Sequence, residues 1–298
     1  MPKKTHRLLA MAVIGAVFLT ACGSSTGSVV QKVEGLEQYG EIKVITREEG
    51  SGTRGVFAEQ LGLLDTSKEA GNADLIREDG QIAMDAEAVI AYVKEDSTAI
   101  GYVSLGALNE AVEGIKAVKI SGVEADVETV ADGKYPLGRN FNIAYSGKLS
   151  DVESDFMSFL LSEGQEIVSE NYTSVNKATT FLSDQSKGTI EIAGSTSVAP
   201  LMERLAEAYM EINPNAEIEI NTSDSTAGLT AAMQGSCDFG MASRDLKEYE
   251  KELLSYETIA RDGIAVIVNG KNPVEDLTKE QLADIFAGKD KEWSDINN

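Results

Sequence analysis

The sequence predicts an α/β chain with room for two domains, and three observations carry that prediction. Short β-branched runs alternate with amphipathic stretches of helical spacing, the pattern of α/β layers around largely parallel sheets. About 275 residues remain once an apolar N-terminal leader is set aside, enough for two separate cores. Three of the strands run straight into Ser/Thr/Gly turns that open helices, and such junctions are where α/β folds hold ligands.

In chain order, Lys3, Lys4 and Arg7 form a basic start, "LLAMAVIGAVFL" an apolar stretch too short for a stable span, and "LTAC" the close of a secretory leader over 1–21. Leu19-Thr20-Ala21-Cys22 resembles a bacterial lipobox, which makes Cys22 a lipidated first mature residue and 22–32, with "GSSTGS", a flexible tether. Such anchors hold a protein at the outer face of a bacterial membrane without spanning it. Strands are expected at "EIKVIT" (41–46), "AIGYVSL" (99–105), "IKAVKI" (115–120), "TIEIAG" (189–194), "AEIEIN" (216–221), "DFGMAS" (238–243) and "GIAVIVN" (263–269). Helices are expected at 53–64, 85–96, 151–171, 198–213, 225–235 and 278–288; in the fourth, Met202, Leu205, Ala206 and Tyr209 keep helical spacing and mark a buried face.

Composition excludes several functions. The formal charge of −23 falls to about −26 on loss of Lys3, Lys4 and Arg7, so the chain repels nucleic acid and presents a solvated exterior. The single histidine, His6, leaves with the leader, which removes Ser-His-Asp and Cys-His catalysis. Common zinc sites go with it, because Cys237 is then the one remaining thiol. No cofactor or metal is expected. Cys237 reads as a small core residue and Trp293 as lobe packing.

The chemistry concentrates at helix starts. "GSGTRG" (50–55), "GSTSVAP" (194–200) and "SDSTAG" (223–228) each follow a strand and precede a helix. A helix start exposes unpaired N–H groups and the positive end of the dipole, glycine admits close backbone approach, and Ser or Thr caps the helix or donates to a ligand. One such turn is ordinary capping. Three, with Arg47 just ahead of one, favour convergence on a small oxyanion. None has the spacing of a nucleotide-binding P-loop, and "GSTSV" is not a nucleophile elbow. A fourth turn, "MASRDL" (241–246), ends a strand with Ser243 and Arg244. Arg244 has two readings: its planar fork suits a tetrahedral oxyanion, and it equally suits a pair with Asp245 or a nearby glutamate.

"VITREEGSGTRGVF", "GSTSVAPLMERLAEAY", "DFGMASRDLKEYE" and "IARDGIAVIVNGKNPVEDLTKEQLADIFAGKDKEWSDI" closely resemble the phosphate-binding lipoproteins of phosphate ABC transporters, the PstS family. The resemblance implies a two-lobed fold of the type II periplasmic-binding-protein kind with an interlobe ligand cleft, bound inorganic phosphate, no catalysis and membrane permease subunits as partners to a monomer. It assigns phosphate binding to Arg47, Ser51, Gly52 and Thr53, to Thr196 and Ser197, and to Ser225; Ser243 and Arg244 of the fourth turn complete the candidate set. Ser243 stands where well-studied relatives carry an aspartate that accepts the proton of monohydrogen phosphate and so rejects sulfate. Asp224, Asp245, Glu48 and Glu49 remain as substitutes. A binding protein for another tetrahedral oxyanion, or a non-transport phosphate sensor or adhesin, is the alternative. An enzyme would need an activated nucleophile or a metal cluster that the sequence lacks.

The order of segments departs from the family, in which "GSTSV" comes first and "TREEGSGTRG" later. The chain therefore reads as circularly permuted, with old termini joined through "FLSDQSKGTIEIAG" (181–194); the other possibility is one window of a longer, duplicated protein or a misassembled gene. The permuted order predicts one lobe from 33–106 with 269–298, carrying "TREEGSGTRG", and a second from 107–268, carrying the other three turns, with crossings near Ala107 and Asn269.

Overall fold

The computed structural model describes residues 34–64, 74–110 and 113–297. The leader 1–21, Cys22 and the tether 22–32 lie outside the described residues. The chain begins with β1 (Lys43–Arg47), α1 (Gly52–Gln60), β2 (Gln81–Ala83), α2 (Ala86–Glu95), β3 (Ala99–Ser104), α3 (Leu105–Glu110), β4 (Ile115–Ala117), β5 (Lys119–Ile120) and α4 (Val127–Ala131). It continues through β6 (Gly138–Tyr145), α5 (Asp151–Leu160), α6 (Gly164–Asn171), β7 (Gly188–Ser195), α7 (Ala199–Ile212), β8 (Ala216–Ser223), α8 (Ser225–Gln234), β9 (Phe239–Ala242) and α9 (Glu248–Leu253). β10 (Ser255–Asn269), β11 (Asp276–Leu277) and α10 (Lys279–Phe286) complete it.

Local chemistry explains many of the boundaries. Asp85, Ser150 and Thr278 cap α2, α5 and α10 through side chains that accept from backbone N–H groups three residues on. The last two form capping boxes with Glu153 and Gln281. Gly235, left-handed at φ 66°, closes α8. The helix expected over 151–171 is two helices, α5 and α6. The chain turns before Gly164, where a Cβ would stand 2.9 Å from the Phe159 carbonyl oxygen and 3.0 Å from Leu205.

The strand order is β2-β1-β3-β10-β6-β9-β7-β8, with β4 also on β10 and a separate β5–β11 pair. Pairing is parallel among β2, β1 and β3 at one end and among β9, β7 and β8 at the other. The centre is antiparallel: β10 pairs with β3 through Ile264–Val268 and with β6 through its first half. The largely parallel sheet expected from the sequence is thus mixed, because one long return strand runs through its middle.

Two principal apolar cores result. One joins Ile42, Val44, Phe57, Tyr102, Val118, Ile120, Leu137, Val266, Phe286 and Trp293; the other joins Phe141, Ile143, Phe156, Ile190, Leu205, Tyr209, Met241 and Ile259. They change over between Leu137, just before β6, and Phe141 on it, and between Ala260 and Ile264 on β10. These positions differ from the crossings expected near Ala107 and Asn269. The reason is that β5 and α4, with Val118 and Tyr135, still pack on the first core. Trp293 is fully buried there and donates its indole N–H to the Thr98 carbonyl at 2.9 Å. Cys237 is partly buried at a smaller apolar cluster, and burial pushes its thiol up to about 11.

Candidate functional site

The starts of α1, α7 and α8 face one another where the two lobes meet. Thr46 and Arg47 end β1, and Gly50, at φ 90°, turns the chain so that Ser51 caps α1 by accepting from the Arg54 N–H at 3.4 Å. On the other lobe, Ser195 ends β7 and accepts from the Ser197 N–H at 3.3 Å, while Asp224 caps α8 by accepting from Ala227 at 2.8 Å.

Side chains from the two lobes make direct contact. Arg47 Nη2 donates to Thr196 Oγ1 at 2.9 Å. The Thr53 and Ser197 hydroxyls are 2.9 Å apart. Thr226 donates to the Gly50 carbonyl at 3.2 Å. Gly52 sits so close to α8 and β9 that a Cβ there would lie 2.4 Å from Ser225 Oγ and 2.7 Å from Ser243 Oγ. Ser225 Oγ accepts from the Ser243 N–H at 3.1 Å. Thr53, Ser197, Ser225 and Ser243 are all at most 5% exposed, so the cluster is nearly dry. Outside it opens a cleft of about 1570 Å³ whose walls include Glu49, Ser51 and Arg54 from one lobe and Asp224, Thr226 and Arg244 from the other.

Arg47, Arg54 and Arg244 are each matched by a carboxylate. Arg47 grips Glu48 through Nε and Nη2, both at 2.7 Å, and Nη2 also reaches the Met84 carbonyl at 3.1 Å. Among the described residues its Nη1 has no hydrogen-bond partner. Arg54 pairs with Asp74 at 2.6 and 2.8 Å and donates to the Arg47 carbonyl at 2.7 Å. Arg244 is committed to Glu250, at 2.7 and 2.8 Å, so its fork is turned to that carboxylate and not to the serine cluster. Burial pushes the Glu250 carboxyl up, but hydrogen bonds from Arg244 and the Lys247 N–H pull it the other way and leave it below the usual value. Of the four acidic residues considered as proton acceptors, Glu48 is held by Arg47, Asp224 by its cap, and Asp245 accepts from Asn140 at 2.9 Å.

One residue at the site carried no signal in the sequence reading. Arg139, on β6, pairs with Asp262 on β10 and donates through Nη1 to Thr53 Oγ1. Burial pushes Arg139 down and Asp262 up, and their mutual attraction opposes both. The strand could have been found: "FNIAY" lies between "YPLG" and "SG", a β-prone run between turn formers.

Two lobes joined by crossing strands, with helix starts from both turned toward one dry crevice, define a solute-binding protein of the periplasmic type. The PBP superfamily domain matches residues 30–164 and 179–298. "Phosphate-binding protein PstS 2" of Streptococcus pneumoniae serotype 4 is 41% identical over 300 residues, covering 98% of this chain and 99% of the relative. Its namesake from Streptococcus agalactiae serotype V is 38% identical over 99% of both chains. A crystal structure described as a phosphate-binding protein of a phosphate ABC transporter from S. pneumoniae TIGR4 superposes with a TM-score of 0.72 at 41% identity, over 86% of this chain and all of that one. The chain belongs to the PstS family of phosphate-binding proteins.

Proposed function

We propose that this protein captures inorganic phosphate between its lobes and presents it to the permease subunits of an ABC importer, without chemistry. The observation that carries the reading is the meeting of donors from both lobes, Arg47 with Thr196 and Thr53 with Ser197. A phosphate leaving water needs nearly full replacement of its hydrogen bonds, or desolvation prevails. The site offers hydroxyls at Ser51, Thr53, Thr196, Ser197, Ser225 and Ser243, the Gly52 N–H at the start of α1, the Ser197 N–H once it turns from Ser195 Oγ, and the Arg47 guanidinium. Because each lobe supplies donors, the anion binds the closed arrangement better than an open one and draws the hinge shut. Short contacts in a dry crevice outweigh the screened field of a net-negative exterior. The lobe map follows the cores: closure turns on β6 and β10. Arg244 serves at the rim through Glu250.

The relatives' names support the phosphate reading over other tetrahedral oxyanions and over catalysis. We also place the protein outside the cytoplasmic membrane as a monomer, held by acylation of Cys22; palmitate labelling that vanishes in Cys22→Ser tests this. Among the described residues no helix is long and apolar enough to cross a membrane. The segment order is read as a circular permutation relative to other branches of the family. Near full-length matches to the streptococcal relatives support a genuine order rather than a misassembled gene. Gly40 and Ile42 hydrogen-bond to Trp293 and Lys291, a proximity that supports this reading.

Calorimetric titration of the full chain with phosphate and with sulfate tests the central claim. Saturable phosphate binding at one site per chain is expected; absence of any heat or thermal stabilisation with phosphate refutes it.

A further inference from the structure

Arg139 is nearly sealed from solvent, its side chain 1% exposed, at the point where β6 passes from one core to the other. Asp262 stands directly opposite it in the antiparallel β6–β10 register. Arg139 Nε and Nη2 lie 2.8 and 2.7 Å from Asp262 Oδ2, while Asp262 Oδ1 accepts from the Leu105 N–H at 3.2 Å. The guanidinium also lies 5.0 Å from the Phe141 ring centroid. Two buried charges at a cross-strand position are a poor way to hold strands together, since an apolar pair of similar volume does so without the desolvation penalty. What the charged pair adds is the reach of Nη1, which touches Thr53 on the first lobe and the Ser243 carbonyl, at 3.5 Å, on the second.

We propose that Arg139 is a positioning residue of the anion site, which orients the Thr53 hydroxyl as a donor from the strands that cross between the lobes. A guanidinium has five donors and no acceptor, so Thr53 Oγ1 must accept from it. The single Thr53 proton is thereby directed away from Arg139, toward the crevice and Ser197. Because Asp262 neutralises Arg139, the effect is one of orientation and not of added charge. The pair also sits on the hinge strands, so any lobe rotation that moves β6 against α1 breaks the Arg139–Thr53 bond and releases the hydroxyl. The inference rests on the phosphate reading above.

The test is phosphate affinity of the full chain in a double-mutant cycle. Arg139→Gln is combined with Asp262→Asn, so that no buried charge is left alone, and the pair is placed in wild-type, Thr53→Ser and Thr53→Val backgrounds. We expect roughly tenfold weaker binding in the first two, where a hydroxyl remains to be oriented, and under about twofold in Thr53→Val. Unfolding midpoints are measured beside each titration. If the pair variant does not fold, Arg139→Lys keeps a charge for Asp262 but gives up the fork, and the same pattern across backgrounds is expected. Equal losses in all three backgrounds, or no loss in any, overturn the proposal. A wild-type chain that binds no phosphate overturns the parent reading as well, so the two failures are distinguishable.

Discussion

Arg47 and Thr196, 149 positions apart in the chain, are joined by a 2.9 Å hydrogen bond that closes one lobe on the other. The same guanidinium holds Glu48, so removing it leaves a carboxylate uncompensated beside the crevice. Arg47→Ala should therefore weaken phosphate binding by about 2–5 kcal/mol. Calorimetry showing affinity close to wild type would take Arg47 out of the site.

Gly52 allows the lobes to meet. A methyl group there would stand 2.4 Å from Ser225 Oγ and 2.7 Å from Ser243 Oγ, both on the opposite lobe. Gly52→Ala should hold the lobes apart, with phosphate affinity reduced at least tenfold, about 1.4 kcal/mol, while the unfolding midpoint changes little. A large fall in thermal stability with unchanged affinity is the contrary outcome.

Gly228 serves packing within one lobe. Its Cβ position is 2.5 Å from the Gly194 Cα and 2.7 Å from the Ala193 carbonyl oxygen, both backbone atoms that cannot swing aside. Gly228→Ala should destabilise the protein by about 1–3 kcal/mol in urea unfolding, through displacement of α8 from β7. Stability equal to wild type would show that the helix shifts freely.

Glu250 links stability to pH. Its carboxyl lies below the ordinary 4.5 in the folded protein, so the unfolded chain takes up that proton first as pH falls. The stabilisation is fully present above 4.5 and is lost as pH drops through the folded value. Glu250→Gln lowers the unfolding midpoint at neutral pH, and the gap to wild type should narrow as pH falls below 4.5. A gap that stays constant over that range would show that the charge of Glu250 contributes nothing.

Much of the architecture was legible because its determinants are local. Asp85, Ser150 and Thr278 announce helices through caps that act within three residues. The Ser/Thr/Gly junctions before α1, α7 and α8 are visible for the same reason. The crossing strands were not. β6 buries two polar side chains, Arg139 and Asn142, beside its apolar ones, so burial there does not follow an apolar–polar alternation in the sequence. The first half of β10, "SYETIARD", carries exposed and charged positions and becomes a strand through its pairing with β6.

By itself the sequence determined the α/β alternation, the donor-rich helix starts and the absence of any histidine beyond His6, all properties of single residues or close neighbours. The tertiary structure decided which charges are spoken for and where the lobes divide. Arg139 meets Asp262 across 123 positions and Arg244 turns to Glu250, because a buried guanidinium settles where a carboxylate can offset its lost hydration. That compensation depends on distance in space, which the order of residues along the chain does not state.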